Sequence, residues 1–169
     1  ASEARWQVLA QQIMMMDLDR TPGEVRTENL DSWEGYREPR RRVLEAIRDQ
    51  GRGNVVVLTG DEHQNYAGEL HIDGKEPAAR PVATEFVATS VTSGGNGVDQ
   101  RADTLAIQQE NPQLKWHNAQ RGYVMCEVTP SLWTTEFKTL DTVTTRGAEI
   151  ATRMRMAVEH GRPESLAEA

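Results

Sequence analysis

The 169 residues suffice for one domain with a real core, and 37% hydrophobic with 27% charged residues is the balance of a water-soluble globular chain, not a disordered one. No apolar run approaches the ~20 residues that a transmembrane helix needs. Twenty-six acidic against 19 basic residues leave a net charge of −7, which argues against a nucleic-acid scaffold, and a lone cysteine, Cys126, excludes an internal disulfide framework and a Cys-rich zinc site. The opening residues, Ala1 to Trp6, show neither an initiator methionine nor the regions of a signal peptide, so the sequence reads like the middle of a longer one.

In chain order, Trp6, Leu9, Ala10 and Ile13 fall at helical spacing and predict a helix over Ala4 to Met16, with Ser2 as its cap. Asp17 to Ser32, with Thr21-Pro22-Gly23, predicts an irregular loop. A second helix is expected from Pro39 to Asp49, proline in its first turn and Val43, Leu44 and Ile47 inward. Arg40, Arg41, Arg42 and Arg48 line its other faces, either as a solvated surface or with one of them aimed at an anion.

Asn54 to Thr59 is a short, apolar, β-branched run bounded by glycines, the signature of a strand buried on both faces. Glu69 to Ile72 and Val82 to Thr92 predict further strands, and Ser93-Gly94-Gly95-Asn96-Gly97 an ordinary turn that matches no phosphate-loop pattern. Asp103 to Glu110 predicts a helix ended by Asn111-Pro112. Gly122 to Val128 and Trp133 to Leu140 predict an antiparallel pair, the alternation around Met154, Met156 and Val158 predicts a half-exposed strand, and the acidic tail after Gly161-Arg162-Pro163 is expected to fray.

The buried strand runs out into Gly60-Asp61-Glu62-His63, where a rigid sheet presents polar side chains to a loop. Asp61 and His63 pair an anionic oxygen donor with an imidazole nitrogen, a combination suited to metal binding, although on spacing alone a turn explains them equally well. Of the other histidines, His71 and His160 read as structural or exposed, and His117, near Arg121, stands as a lower-ranked substrate contact.

Taken together, Trp33-Glu34-Gly35-Tyr36 followed by Arg40 or Arg41, Val57 to His63 with Glu69, Thr84-Glu85-Phe86-Val87 with Ser90 and Ser93, Asn111-Pro112 before Arg121-Gly122-Tyr123, and Gly161-Arg162-Pro163 form an ordered set. That set resembles the PhoD-like alkaline phosphatase and phosphodiesterase family over nearly the whole chain. The resemblance implies an α/β fold, the C-terminal half of a four-layer αββα metallophosphatase sandwich with mixed sheets. It implies hydrolysis of phosphate monoesters or diesters by a metal-activated hydroxide, with ferric iron and calcium as cofactors, in proteins that are secreted, periplasmic or at the cell surface.

Carried over by position, Asp61 and His63 match the family's late metal-binding pair, with Tyr36, Arg40, Arg41 and His117 near the substrate. Glu85 either anchors the loop or touches a metal. The family's early ligands have no counterpart before Trp6, so the partner expected is the N-terminal portion of the same enzyme. Phospholipase D-like phosphodiesterase activity is an alternative; so is a non-catalytic interaction domain, which predicts a closed surface around Asp61.

Overall fold

The structure, a computed structural model, describes residues 3–23, 25–51, 53–73 and 79–169. In chain order its elements are β1 (Gln7–Ala10), a 3-10 turn (Trp33–Tyr36), α1 (Arg37–Asp49), β2 (Val55–Thr59), β3 (Asn65–Leu70) and β4 (Ala83–Val87). Then follow α2 (Thr104–Glu110), β5 (Leu114–Asn118), β6 (Arg121–Val128), β7 (Leu132–Leu140), β8 (Ile150–Glu159) and β9 (Arg162–Glu168). Strands β1-β2-β4-β3-β5 form a mixed sheet, and β6-β7-β8-β9 a second sheet whose neighbours are all antiparallel.

The period-2 geometry of a strand sends alternate side chains to opposite faces, and the core divides accordingly. Val56, Ala67 and Phe86 point from the mixed sheet toward Trp133, Phe137, Met156, Val158 and Leu166 of the second, filling the space between the two. Phe137 sits against both Phe86 and Trp116, with ring centroids 6.2 and 4.5 Å away. On the other face Val55, Val57, Leu70 and Val87 pack against Leu44 and Ile47 of α1 and against Met14 to Leu18. A helix layer and two sheet layers are thus in place, an α/β sandwich as expected.

The expected first helix is instead strand β1. Its backbone runs parallel to β2, Gln7 opposite Val55 and Ala10 opposite Leu58. Apolar spacing cannot register a neighbouring strand, and here the tertiary pairing overrides it. Ser2, the expected cap, lies outside the described residues. Met14, Met15 and Met16 then cross under the sheet in a non-helical, fully buried segment.

Three further differences matter. Leu114–Asn118, which the alternation does not flag, is strand β5, because Lys115 faces solvent while Leu114, His117 and Asn118 are buried. The tail does not fray: with Pro163 and Leu166 buried, Arg162–Glu168 pairs with β8 as β9, the last strand of the second sheet. Strand β3 begins four residues earlier than expected, at Asn65, and β4 ends at Val87, five short of Thr92.

Because β1, β2, β4 and β5 run in one direction and β3 alone runs against them, one end of the mixed sheet collects the exits of β2, β4 and β5 and the entry of β3. A buried amide knits that end together. Asn65 donates to the Asn118 side chain (3.1 Å) and the Gln120 carbonyl (3.3 Å) and accepts from the Thr89 backbone (3.1 Å).

Candidate active site

Strand β2 delivers Gly60-Asp61-Glu62-His63 to this knitted end. The Ala88 N–H donates to the Thr59 carbonyl (2.9 Å), and the Glu62 N–H to the Gly60 carbonyl (2.8 Å), closing a tight turn. Asp61 and His63 adopt φ of 70° and 54°, left-handed values that few non-glycine residues take without support. The result is an alternation: Asp61 and His63 are exposed, while Glu62 turns inward.

Two arginines hold that arrangement. Arg20 grips Glu62 with two parallel hydrogen bonds of 2.8 and 2.9 Å, the bidentate geometry that fixes a carboxylate in orientation. Arg121, at the start of β6, donates to the His63 carbonyl at 2.6 Å. Neither partnership is visible in local sequence.

Beneath the loop lies Glu85, fully buried in β4. Its carboxylate accepts from the Met15 and Met16 N–H groups (2.8 and 2.6 Å) and from the Thr59 hydroxyl (3.2 Å). Burial pushes this carboxyl up to about 7, against the opposing pull of those donors and of Arg40. Of the two roles open to Glu85 in the sequence, the contacts are those of an anchor, tying the methionine segment to the last residue of β2.

Arg40 and Arg41 are not gathered around Asp61 and His63, whereas His117 hydrogen-bonds Gln64, the residue next to His63, at 2.8 Å. Tyr36 is exposed on the 3-10 turn. Arg40 is buried, and its guanidinium donates to the carbonyls of Met15 (2.7 Å), Ile72 (3.1 Å) and His71 (3.0 Å). Since β3 runs antiparallel to β2, residues 71 and 72 lie past the opposite end of the sheet from Asp61. Arg40 thus acts as a backbone clamp away from Asp61, each of its three nitrogens engaged by a carbonyl, in place of the expected substrate contact. Arg41 points to solvent between Glu38 and Glu45, each 2.9 Å away.

His117 belongs to β5, not to a loop, and is buried with both ring nitrogens in use. Nε2 meets the Gln64 side-chain oxygen at 2.8 Å and so carries the proton, while Nδ1 lies 3.0 Å from the Thr104 hydroxyl and accepts from it. Burial holds its pKa down to about 4. An NMR titration should therefore show a neutral ring until about pH 4; protonation near the ordinary 6.5 would mean that the ring is open to solvent.

Asp61 and His63 suit a metal by donor type and by exposure. Among the described residues, however, no three His, Cys, Asp or Glu side chains converge on one point. The pair furnishes at most part of a coordination shell.

The profile of the PhoD-like phosphatase family matches residues 1–137, which include every residue of this site. The chain belongs to the PhoD-like phosphatase family. It is 44% identical over 153 residues to alkaline phosphatase D of Bacillus subtilis (strain 168), covering 90% of this chain and 26% of that protein. A solved structure of PhoD superposes with a TM-score of 0.95 at 41% identity, over 100% of this chain and 32% of that one. The chain thus spans about a quarter to a third of the length of these PhoD relatives. Strands β8 and β9 lie beyond the profile match yet within the superposition, so the second sheet is shared with PhoD.

Proposed function

We propose that this chain is part of a metal-dependent phosphoester hydrolase and that Asp61 and His63 are its contribution to the metal site. The observation that carries the reading is their conformation: two ligand-type side chains, both left-handed and both exposed, at the end of a buried strand. Strained backbone of this kind persists only where the surroundings over-determine it, as Arg20 and Arg121 do here.

Asp61 would supply an anionic oxygen and His63 an imidazole nitrogen to ions of the ferric iron and calcium type, the remaining donors coming from the rest of the enzyme. Such ions, when bound, supply Lewis-acid polarisation of a phosphoryl oxygen and a nucleophile at neutral pH. The chain's own work is positional. Glu62 and Arg20 fix the turn, Arg121 fixes the His63 backbone, and Glu85 holds the strand end beneath them.

The interaction-domain alternative calls for a closed surface around Asp61. Instead, an open pocket of about 420 Å³ lies beside His63, lined by Arg101 and Arg121 among others. That favours the hydrolase. Replacing Asp61 in the complete enzyme tests the reading: hydrolysis should be lost while the fold persists.

A further inference from the structure

The glycine-rich turn after β4 has a structural purpose that its sequence does not reveal. Arg121 passes beneath it, donating through Nη1 to the carbonyls of His63 (2.6 Å) and Ala119 (2.9 Å) and through Nη2 to that of Gly94 (3.2 Å). A Cβ on Gly97 would lie 1.9 Å from the Ala119 oxygen, and one on Gly94 2.9 Å from Arg121 Nη2. Both glycines have positive φ, so the turn gives the guanidinium the room it occupies.

Arg121 is 7% exposed, its Nε–H has no acceptor, and among the described residues it forms no ion pair. A buried cation held only by carbonyls keeps its whole charge, and that charge lacks a counterpart. Its surroundings do not cancel it. In the pocket beside His63, Glu62 is already neutralised by Arg20, and Arg101 is matched only by Asp103 at 3.1 Å in a half-exposed pair. Such a pair contributes little and exchanges readily for another anion. Among the described residues the lining of the pocket itself carries two arginines, Arg101 and Arg121, and one carboxylate, Glu62, which leaves one positive charge.

We propose that this pocket is an oxyanion subsite, in which Arg101 and Arg121 receive phosphoryl oxygens of the ester handled at Asp61 and His63. The inference rests on the hydrolase reading above. The pocket is far larger than one phosphate group and continues, through Gln64 and Arg101, into a smaller cavity of about 120 Å³. A buried guanidinium locked by three carbonyls is pre-organised, so binding does not have to order it.

The test uses the complete enzyme with inorganic phosphate as a competitive inhibitor. Arg101→Gln should raise the phosphate Ki and the substrate KM roughly tenfold, the effect of one lost charge-assisted hydrogen bond. Arg121→Lys, which keeps the charge but not the fork, should also raise both. Arg80→Gln, outside the pocket and paired with Glu164, is the control and should leave both unchanged. Because Arg101 is on the surface, its variant remains informative if the Arg121 variant does not fold. Phosphate Ki values within about twofold of wild type in Arg101→Gln would overturn the subsite even with Asp61→Asn inactive. Turnover by Asp61→Asn would instead sink the hydrolase reading on which the subsite rests.

Discussion

Replacing Asp61 by Asn in the complete enzyme should lower kcat/KM for a phosphate ester by at least ~100-fold, since even residues that merely orient metal ligands are worth roughly 10- to 100-fold. Asparagine is the informative choice. It is among the side chains most tolerant of left-handed backbone, so the φ of 70° at this position is preserved and only the anionic charge is removed. Asp61 is exposed, and the loop's fixings, Glu62 with Arg20 and His63 with Arg121, do not involve its side chain. Thermal stability should therefore stay near wild type. A turn residue without a chemical role would leave activity nearly intact in the same variant.

The second large effect concerns Glu85 and the pH dependence of stability. Its carboxyl titrates near 7 in the folded protein against an ordinary 4.5, so between those values the folded state holds a proton that the unfolded chain has released. Stability from this group is complete below about pH 4.5, falls as pH rises toward 7 and then levels, by on the order of 3 kcal/mol in all. His117 acts in the opposite sense. Its folded pKa of about 4 lies below the ordinary 6.5, so its contribution rises with pH across that interval.

The two slopes largely cancel where they overlap, and the wild-type curve alone does not separate them. Glu85→Gln does. The amide cannot accept from every donor that meets the carboxylate, so the variant should be less stable at pH 5 by about 1 to 3 kcal/mol in urea unfolding. The gap should narrow toward pH 8, where the wild type must ionise a buried group. A gap that stayed constant from pH 5 to 8 would mean that Glu85 is held ionised by Met15, Met16 and Arg40.

Strand β2 and its terminal loop are legible in the sequence because the information is local: a β-branched run, flanking glycines and polar residues at the exit. Helix α1 is legible for the same reason, and so is the β6–β7 pair, with alternation on either side of Thr129 to Leu132. Strand β1 is not. Its stability comes from pairing with β2, whose partner residues lie about 48 positions away, and its apolar residues happen to suit a helix as well.

The site divides along the same line. Asp61 and His63 stand out as neighbours after a strand, whereas Arg121 reaches His63 across 58 residues and Arg20 reaches Glu62 across 42. Arg40 misleads for a related reason. An arginine on a helix amid other arginines looks solvated, or available to an anion, until the fold brings the carbonyls of Met15, His71 and Ile72 around it. The glycine-rich turn is legible as a turn, but the guanidinium it accommodates comes from another strand.

In the proposed enzyme, Asp61 and His63 hold metal beside a pocket for oxyanions. Anomalous diffraction from crystals of the complete enzyme tests it most directly. Scattering by a bound metal is expected within coordination distance of the Asp61 carboxylate and the His63 imidazole, and is expected to be lost from the Asp61→Asn crystal. Metal bound elsewhere, with Asp61 and His63 both in contact with solvent alone, would contradict it.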